Sequence, residues 1–239
     1  MSIKSGLLFG LGLVLAGLLW FGVAAVTRLP MFQLDQVRVL GTQHVSPQQT
    51  QWVIHEYVHG DLFHVSLTQV RDGFEKLPWV RSVDVRRKWP NELDVRLTEH
   101  HALAHWNKAG LVDTQGEVFM AATNANLPHF YGPSGSSEQV MQVWSDMTRI
   151  LMPLGRQPVE VTLNDRGSWT AQLDNGVVIA LGRDDQAMSR LARWVSLYPA
   201  MQAQLQSPLA GVDLRYPQGF AVQLMPVSTT DGHKQGKTS

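Results

Sequence analysis

The chain has 239 residues, of which 44% are hydrophobic and 17% charged, a composition typical of a folded protein with one large or two small domains. Lysine plus arginine and aspartate plus glutamate both number 20, so the sequence offers no concentrated basic charge for DNA or RNA, and we exclude nucleic acid as a partner. The absence of cysteine excludes disulfides, cysteine-ligated zinc and thiol catalysis.

An apolar run near the N-terminus, residues 6–26, predicts a single transmembrane helix after a short cytoplasmic tail at 1–5. No residue of this run is charged, and a helix of its length reaches about 31 Å, the thickness of a bilayer core. Lys4 and the α-amino group precede the run and Arg28 follows it, which gives a small charge bias towards a cytoplasmic N-terminus. A cleaved signal peptide is the alternative, with small residues among 22–25, but its apolar core is ordinarily about 7 to 15 residues long.

Residues 32–100, which follow a linker at 27–31, have the order strand, helix, helix, strand, strand. The order is predicted by alternation over 36–40, by helix starts at Ser46 and Ser66, and by a hairpin that turns at 89–91. This is the order of a POTRA module, a small α+β unit.

Residues 101–226 predict a β-rich α+β domain, with helices packed on an extended antiparallel sheet. The predicted strands cover 102–106, 159–163, 169–173, 177–181, 211–216 and 220–224, with a further hairpin around 114–116. One helix is predicted from Ser137 to Pro153, and another is predicted to be capped by Asp184 or Asp185. Residues 227–239 are polar and are predicted to be a flexible tail.

The segment from His55 to His59 matches the zinc-protease motif HExxH, with Glu56 in the position of the general base. The apolar face of the predicted helix runs through Ile54, Tyr57 and Val58, and no third ligand follows at a suitable spacing. We therefore interpret these histidines as solvent-exposed. His100, His101 and His105 are interpreted as polar residues at the junction of the two modules, because no further ligand is fixed by spacing.

Six stretches of the chain resemble, in order, the FtsQ/DivIB family of bacterial cell-division proteins. They are VRVLGTQHVS, LPWVRSVDVRRKWPNELDVRLTEHHALAHW, LVDTQGEVF, LPHFYGP, LGRDDQAMSRLARWVSLYP and VDLRYPQGFAV. The resemblance implies a non-enzymatic scaffold without a cofactor, held in the bacterial inner membrane at the division septum by one helix, with its bulk in the periplasm. It also implies a protein that links early and late division proteins and helps to control septal peptidoglycan synthesis.

The resemblance further implies that the partner FtsB, itself paired with FtsL, adds a β-strand at the C-terminal sheet edge. Arg215, Tyr216, Gly219 and Phe220 are expected at this surface. Arg166 and Arg183, at predicted strand ends nearby, are expected to pair with carboxylates of the partner. The POTRA module is expected to help bring this assembly and other division proteins to the septum.

Three other functions remain open from the sequence. They are a zinc metalloprotease that uses the HExxH segment, a POTRA-containing assembly or secretion adaptor, and a periplasmic binding protein whose mature form starts near Ala25.

Overall fold

The computed structural model describes residues 16–18, 20, 34–183, 185–205 and 207–226. The predicted transmembrane segment lies outside these residues except for 16–18 and 20, which are helical. No helix in the described part of the chain is long and apolar enough to cross a membrane. The predicted tails at 1–5 and 227–239 and the linker at 27–31 also lie outside the described residues.

The chain divides into two compact units, with the division between His100 and His101. The first unit has the predicted order of two helices and three strands. Its elements are β1 (Gln36–Leu40), α1 (Pro47–Tyr57), α2 (Leu67–Glu75), β2 (Val80–Lys88) and β3 (Glu92–Glu99). The strands form a sheet of order β1-β3-β2, in which β1 runs parallel to β3 and β2 runs antiparallel to it. The predicted hairpin and α+β order of this unit are therefore confirmed.

Local sequence explains where these elements begin. The Ser46 side chain accepts the N–H of Gln49, whose own side chain accepts the N–H of Ser46, so a capping box precedes Pro47 at the first helical position. Ser66 caps α2 in the same way at the N–H of Gln69. The helices meet closely at Gly73, where an added Cβ would lie only 2.5 Å from the Tyr57 ring. Only glycine fits this helix crossing.

A buried carboxylate at the end of β3 holds the loop between β1 and α1. Glu99 is only 7% exposed and accepts the backbone N–H groups of Gln43, His44 and Val45 at 2.8 to 3.1 Å. The ring of His44 also lies 2.9 Å from a carboxylate oxygen of Glu99. Burial opposes ionisation of Glu99, but these hydrogen bonds outweigh it, so the pKa of Glu99 is lowered.

We expect Glu99→Gln to destabilise the first unit by about 2 to 3 kcal/mol at pH 7, because an amide keeps only one acceptor oxygen for three backbone donors. The pKa of Glu99 is lower in the folded state than in the unfolded state. The stabilisation by its carboxylate is therefore complete at a pH above the unfolded-state pKa, and it is lost as the pH falls through the folded-state pKa. The deficit of the variant should therefore shrink in acid. Amide hydrogen exchange at residues 43–45 measures this loss of stability, and Asp84→Asn on β2 is the matched control. If Glu99→Gln were equally destabilising at pH 7 and in acid, the role given to the Glu99 carboxylate would be contradicted.

The described residues of the second unit form nine strands and two long helices. Its strands are β4 (Ala102–Trp106), β5 (Gly110–Asp113), β6 (Val118–Phe119), β7 (His129–Tyr131), β8 (Pro158–Leu163), β9 (Trp169–Leu173), β10 (Val178–Gly182), β11 (Leu209–Asp213) and β12 (Ala221–Leu224). Its helices are α3 (Ser137–Leu151) and α4 (Ala187–Gln202). The predicted helix start at Ser137 is confirmed, and a short 3-10 turn at Met152–Leu154 contains the expected Pro153.

The prediction of an antiparallel sheet was wrong for this unit. The strand order is β12-β11-β10-β9-β8-β7-β4-β5-β6, and the pairs β4–β7, β7–β8 and β10–β11 are parallel. For β7–β8 and β10–β11 the reason is that α3 and α4 connect the strands, and a helical crossover joins parallel strands. Between β4 and β7 the chain passes through β5 and β6 instead. The predicted capping of α4 was also wrong at Asp185, since Gln186 precedes the helix without a side-chain cap; Asp184 lies outside the described residues.

The core of the second unit lies between the two helices and one face of the sheet. A single row of paired residues crosses seven strands on this face: Trp106, Phe130, Val161, Ala171, Ile179, Val212 and Val222. Every member except the last is at most 8% exposed, and buried side chains of α3 and α4 pack against the row. The row ends at the sheet edge, on Val222.

Candidate protein-binding edge

The last strand of the sheet, β12, is exposed along its whole length. It pairs with β11 on one side, and no strand in the described part of the chain pairs with its other side. Val222 and Leu224 stand opposite the buried Val212 and Leu209, yet each is 39% exposed. An exposed strand edge whose apolar side chains continue a core is suited to pairing with a further strand.

The hydrogen bonds of β12 show which backbone groups are available at this edge. The N–H of Met225, immediately after β12, donates to the carbonyl of Pro208 on the β11 side. Because successive residues of a strand point their backbone groups to opposite sides, the N–H groups of Val222 and Leu224 point away from β11. These are the donors that an added strand would use.

The connection from β11 to β12 carries four of the predicted site residues. The prediction extended the strands to Tyr216 and back to Phe220, which was wrong: β11 ends at Asp213 and β12 begins at Ala221. Arg215, Tyr216, Gly219 and Phe220 therefore lie in the connecting loop. Tyr216 is 55% exposed, whereas Phe220 packs partly against the core.

The Arg215 guanidinium is already engaged within the chain. Its Nε lies 2.9 Å from Asp213 Oδ1, and its Nη2 binds the other carboxylate oxygen. This pairing lowers the pKa of the Asp213 carboxyl and raises that of Arg215, so both groups are held in their charged forms. Arg215 thus stiffens the loop that presents Tyr216, rather than offering an unpaired cation.

Arg166 and Arg183 are exposed and carry no ion pair within the described ranges. Arg166 lies in the turn between β8 and β9, where its backbone N–H donates to the side chain of Asn164. Arg183 directly follows Gly182 at the end of β10. Among the described residues, neither guanidinium group has a carboxylate partner that would compete with one from another molecule.

The register places all six predicted residues at one end of the sheet. The end of β10 pairs with the start of β9, and the end of β11 lies beside the end of β10 and the start of β12. The turn with Arg166, the residue Arg183 and the β11–β12 loop therefore follow one another along this end, next to the exposed edge.

Comparison with known proteins covers both units. The first unit matches the FtsQ-type POTRA domain over residues 32–100, and the second matches the C-terminal domain of the cell division protein FtsQ/DivIB over residues 104–215. The cell division protein FtsQ of Nitrosospira multiformis is 37% identical over 217 residues, which cover 87% of this chain and 92% of the relative. FtsQ of Burkholderia pseudomallei is 36% identical over 88% of this chain and 85% of its own, and FtsQ of Escherichia coli K12 is 37% identical over 67% and 60%.

The chain belongs to the FtsQ/DivIB family. The resemblance identified in the sequence is confirmed, and the chain is a member of a family of bacterial cell division proteins. The match to the C-terminal domain of FtsQ/DivIB ends at Arg215, so Tyr216, Gly219, Phe220 and β12 lie just past it.

The zinc-protease alternative lacks the structural context that it requires. In this FtsQ/DivIB chain, α1 ends at Tyr57 and Val58 is its C-cap, so His59 lies beyond the helix. His55 and His59 therefore do not share one helical face, and both are exposed rather than placed in a cleft. His64 is close to Asp61, with its Nδ1 2.7 Å from a carboxylate oxygen, and the hydrogen bond lowers the pKa of Asp61.

A buried arginine that the sequence pattern did not single out supports the candidate edge of this FtsQ/DivIB chain. Arg190 of α4 is 4% exposed, and its guanidinium donates to the carbonyl oxygens of Leu181 and Leu214. Leu181 lies near the end of β10 and Leu214 directly follows β11, the two places from which Arg183 and the β11–β12 loop emerge. The sequence signal for Arg190 was a positively charged residue on the face of an amphipathic helix that was expected to be apolar.

A shallow groove beside the edge was also missed. It has a volume of about 320 Å³ and lies on the sheet face opposite the core, where Val178, Ala180, Gly211 and Ala221 leave room between β10 and β12. Small side chains at these positions gave no distinct sequence pattern. The groove adds a recess to the surface at which β12 is exposed.

Proposed function

We propose that the chain is a division scaffold that binds FtsB by strand addition at β12 and, through FtsB, holds FtsL. The observation that carries the proposal is the row of paired core residues that ends on the exposed Val222, since a further strand would continue both the sheet and the row. Arg166 and Arg183 are placed to pair with carboxylates of a segment that runs past this end of the sheet.

The proposed scaffold is anchored in the inner membrane by residues 6–26 and has its two units in the periplasm. The support is the length and apolar composition of this run. In this arrangement the chain links early and late division proteins at the septum and helps to control septal peptidoglycan synthesis through its partners, with the POTRA unit contributing to recruitment. Reporter fusions before Lys4 and after Met225 test the topology; a periplasmic N-terminal reporter would contradict it.

Binding of the full chain in nanodiscs to the periplasmic segment of its own FtsB tests the partner directly. We expect tight binding that Tyr216→Ala weakens roughly tenfold or more, because an aromatic side chain at the centre of an interface often contributes most to affinity. Arg166→Glu should weaken binding more in low salt than in high salt, because it reverses a charge at the rim of the interface and salt screens such charges.

Trp52→Ala is a matched control for Tyr216→Ala. Trp52 is 54% exposed, close to the 55% of Tyr216, but it lies on α1 of the other unit. Its replacement should leave the affinity unchanged. Absence of binding by the unaltered chain, or equal losses in the two variants, would contradict the assigned surface.

A further inference from the structure

Two exposed aromatic side chains meet at the turn of the hairpin in the first unit. Trp89, immediately after β2, is 64% exposed, and Phe63, in the loop between α1 and α2, is 38% exposed. Their rings stack edge to face with centroids 5.4 Å apart. We call this pair, with the turn at 90–91, the hairpin tip. Two large apolar rings together at a protrusion are unusual on a surface that meets only water.

The hairpin tip is held in place by Arg87. Its Nε donates to the carbonyl of Leu62 at 2.6 Å and its Nη2 donates to the carbonyl of Val65 at 2.8 Å. These bonds fix the loop that carries Phe63 to the end of β2, next to Trp89. The two rings are thus presented together by a rigid support.

The tip lies beside Asp35, which follows the apolar run 6–26 along the chain. Asp35 donates its N–H to the carbonyl of Asn91, and its carboxylate accepts the side-chain amide of Asn91. Gln36 at the start of β1 pairs with Glu92 at the start of β3. Nine residues lead from Val26 to Asp35, and a fully extended chain of nine residues spans about 30 Å.

Most charges near the tip are paired with one another, and Arg87 and Asp35, which are opposite in sign, are instead hydrogen-bonded to carbonyl and amide groups. Lys88 lies 2.8 Å from Glu92, which also has Arg38 at 3.8 Å, and Arg86 lies 2.8 Å from Asp84. The cations therefore add little net attraction to an anionic surface. The aromatic rings are the distinguishing feature of the tip.

We propose that the hairpin tip docks on the bilayer surface, with Phe63 and Trp89 in the headgroup region of the leaflet at which the apolar run ends. Aromatic side chains favour this region because their rings are apolar while the indole N–H can still meet polar groups. The nine-residue tether keeps the tip within reach of the surface, and the two rings hold it there. The inference rests on the proposed membrane anchor.

Depth measurement in nanodiscs tests this docking, and the cysteine-free sequence permits a single labelled position in each variant. A fluorophore is attached at Lys88→Cys near the tip, or at Thr98→Cys near the far end of β3, in the full chain. The nanodiscs contain phosphatidylethanolamine and phosphatidylglycerol with a nitroxide quencher on the headgroup. We expect quenching at position 88 to exceed that at position 98 by a factor of about two or more.

Replacing both rings separates docking from simple tethering. Phe63→Ser with Trp89→Ser should lower quenching at position 88 towards that at position 98, whereas Trp52→Ser, a change at an exposed tryptophan away from the tip, should not. Quenching that is equal at the two positions, or unchanged by the double substitution, would overturn the proposal. So would loss of the quenching at high salt, which would indicate attraction by charge instead of by the rings.

A label at Leu18→Cys, within the apolar run, is measured in nanodiscs whose nitroxide is on the lipid acyl chain, because position 18 would lie far from the headgroups. This label keeps the two proposals distinguishable. Deep quenching at position 18 without quenching at position 88 would leave the anchor intact and refute only the docking of the tip. Absence of quenching at position 18 would refute the anchor, and the docking inference with it.

Discussion

Val222→Pro is expected to abolish strand addition at β12 while leaving the fold intact. The N–H of Val222 points away from β11, so proline removes a donor that the partner needs and that the sheet does not use. We expect the affinity for the FtsB segment to fall by about 100-fold, since the loss of the donor is combined with a steric obstacle on the open edge. Titration with the full chain in nanodiscs measures the change.

Val222→Thr is the matched control for this substitution. Threonine keeps the backbone N–H, the branched shape and the strand preference of valine, so most of the affinity should remain. Thermal unfolding should show both variants close to the unaltered chain, because Val222 is partly exposed at the sheet edge. If proline and threonine weaken binding equally, the backbone at this position does not take part, and the proposed strand addition is wrong.

Arg190→Leu is expected to destabilise the second unit by about 3 kcal/mol. Leucine fits the apolar surroundings but leaves the carbonyl oxygens of Leu181 and Leu214 buried without this donor, and each such loss costs about 1 to 3 kcal/mol. The ends of β10 and β11 should loosen first, because these carbonyls lie there. Urea unfolding measures the total effect, and hydrogen exchange at residues 211–214 shows where it is concentrated.

Arg149→Leu on α3 is the control for the buried arginine. Arg149 is exposed and pairs with Asp146 one turn earlier, an arrangement that contributes about 0.5 kcal/mol or less. A large difference between the two leucine variants would assign the effect to burial and to the two carbonyls. Equal stability of the two variants would show that Arg190 is not needed at the strand ends.

The local parts of the fold could be predicted because their causes lie within a few neighbouring residues. Ser46 and Pro47 form a helix start by themselves, and the alternation of apolar and polar residues fixes the faces of β2 and β3. The strand β7 was missed because only three residues, His129–Tyr131, belong to it. Three residues are too few to show a period.

The sequence proposed the members of the candidate site but not their contacts. The resemblance to FtsQ/DivIB indicated Arg215, Tyr216, Gly219 and Phe220, and turn residues placed Arg166 and Arg183 at strand ends. The pairing of Arg215 with Asp213 depends on the path of the loop after β11, and no periodic pattern in the sequence describes that path. The role of Arg190 depends on carbonyls 9 and 24 residues away in the chain.

The sequence by itself determined the family, the POTRA order of the first unit, the apolar run at 6–26 and most elements of the second unit. Only the tertiary structure decided that the large sheet is mixed, because strand direction is set by where α3 and α4 return the chain. It also decided that α1 ends before His59 and that the core row ends on Val222. Hydrophobic periodicity and helix capping depend on residues that are neighbours along the chain, whereas a sheet edge is defined only when all the strands of the sheet are paired.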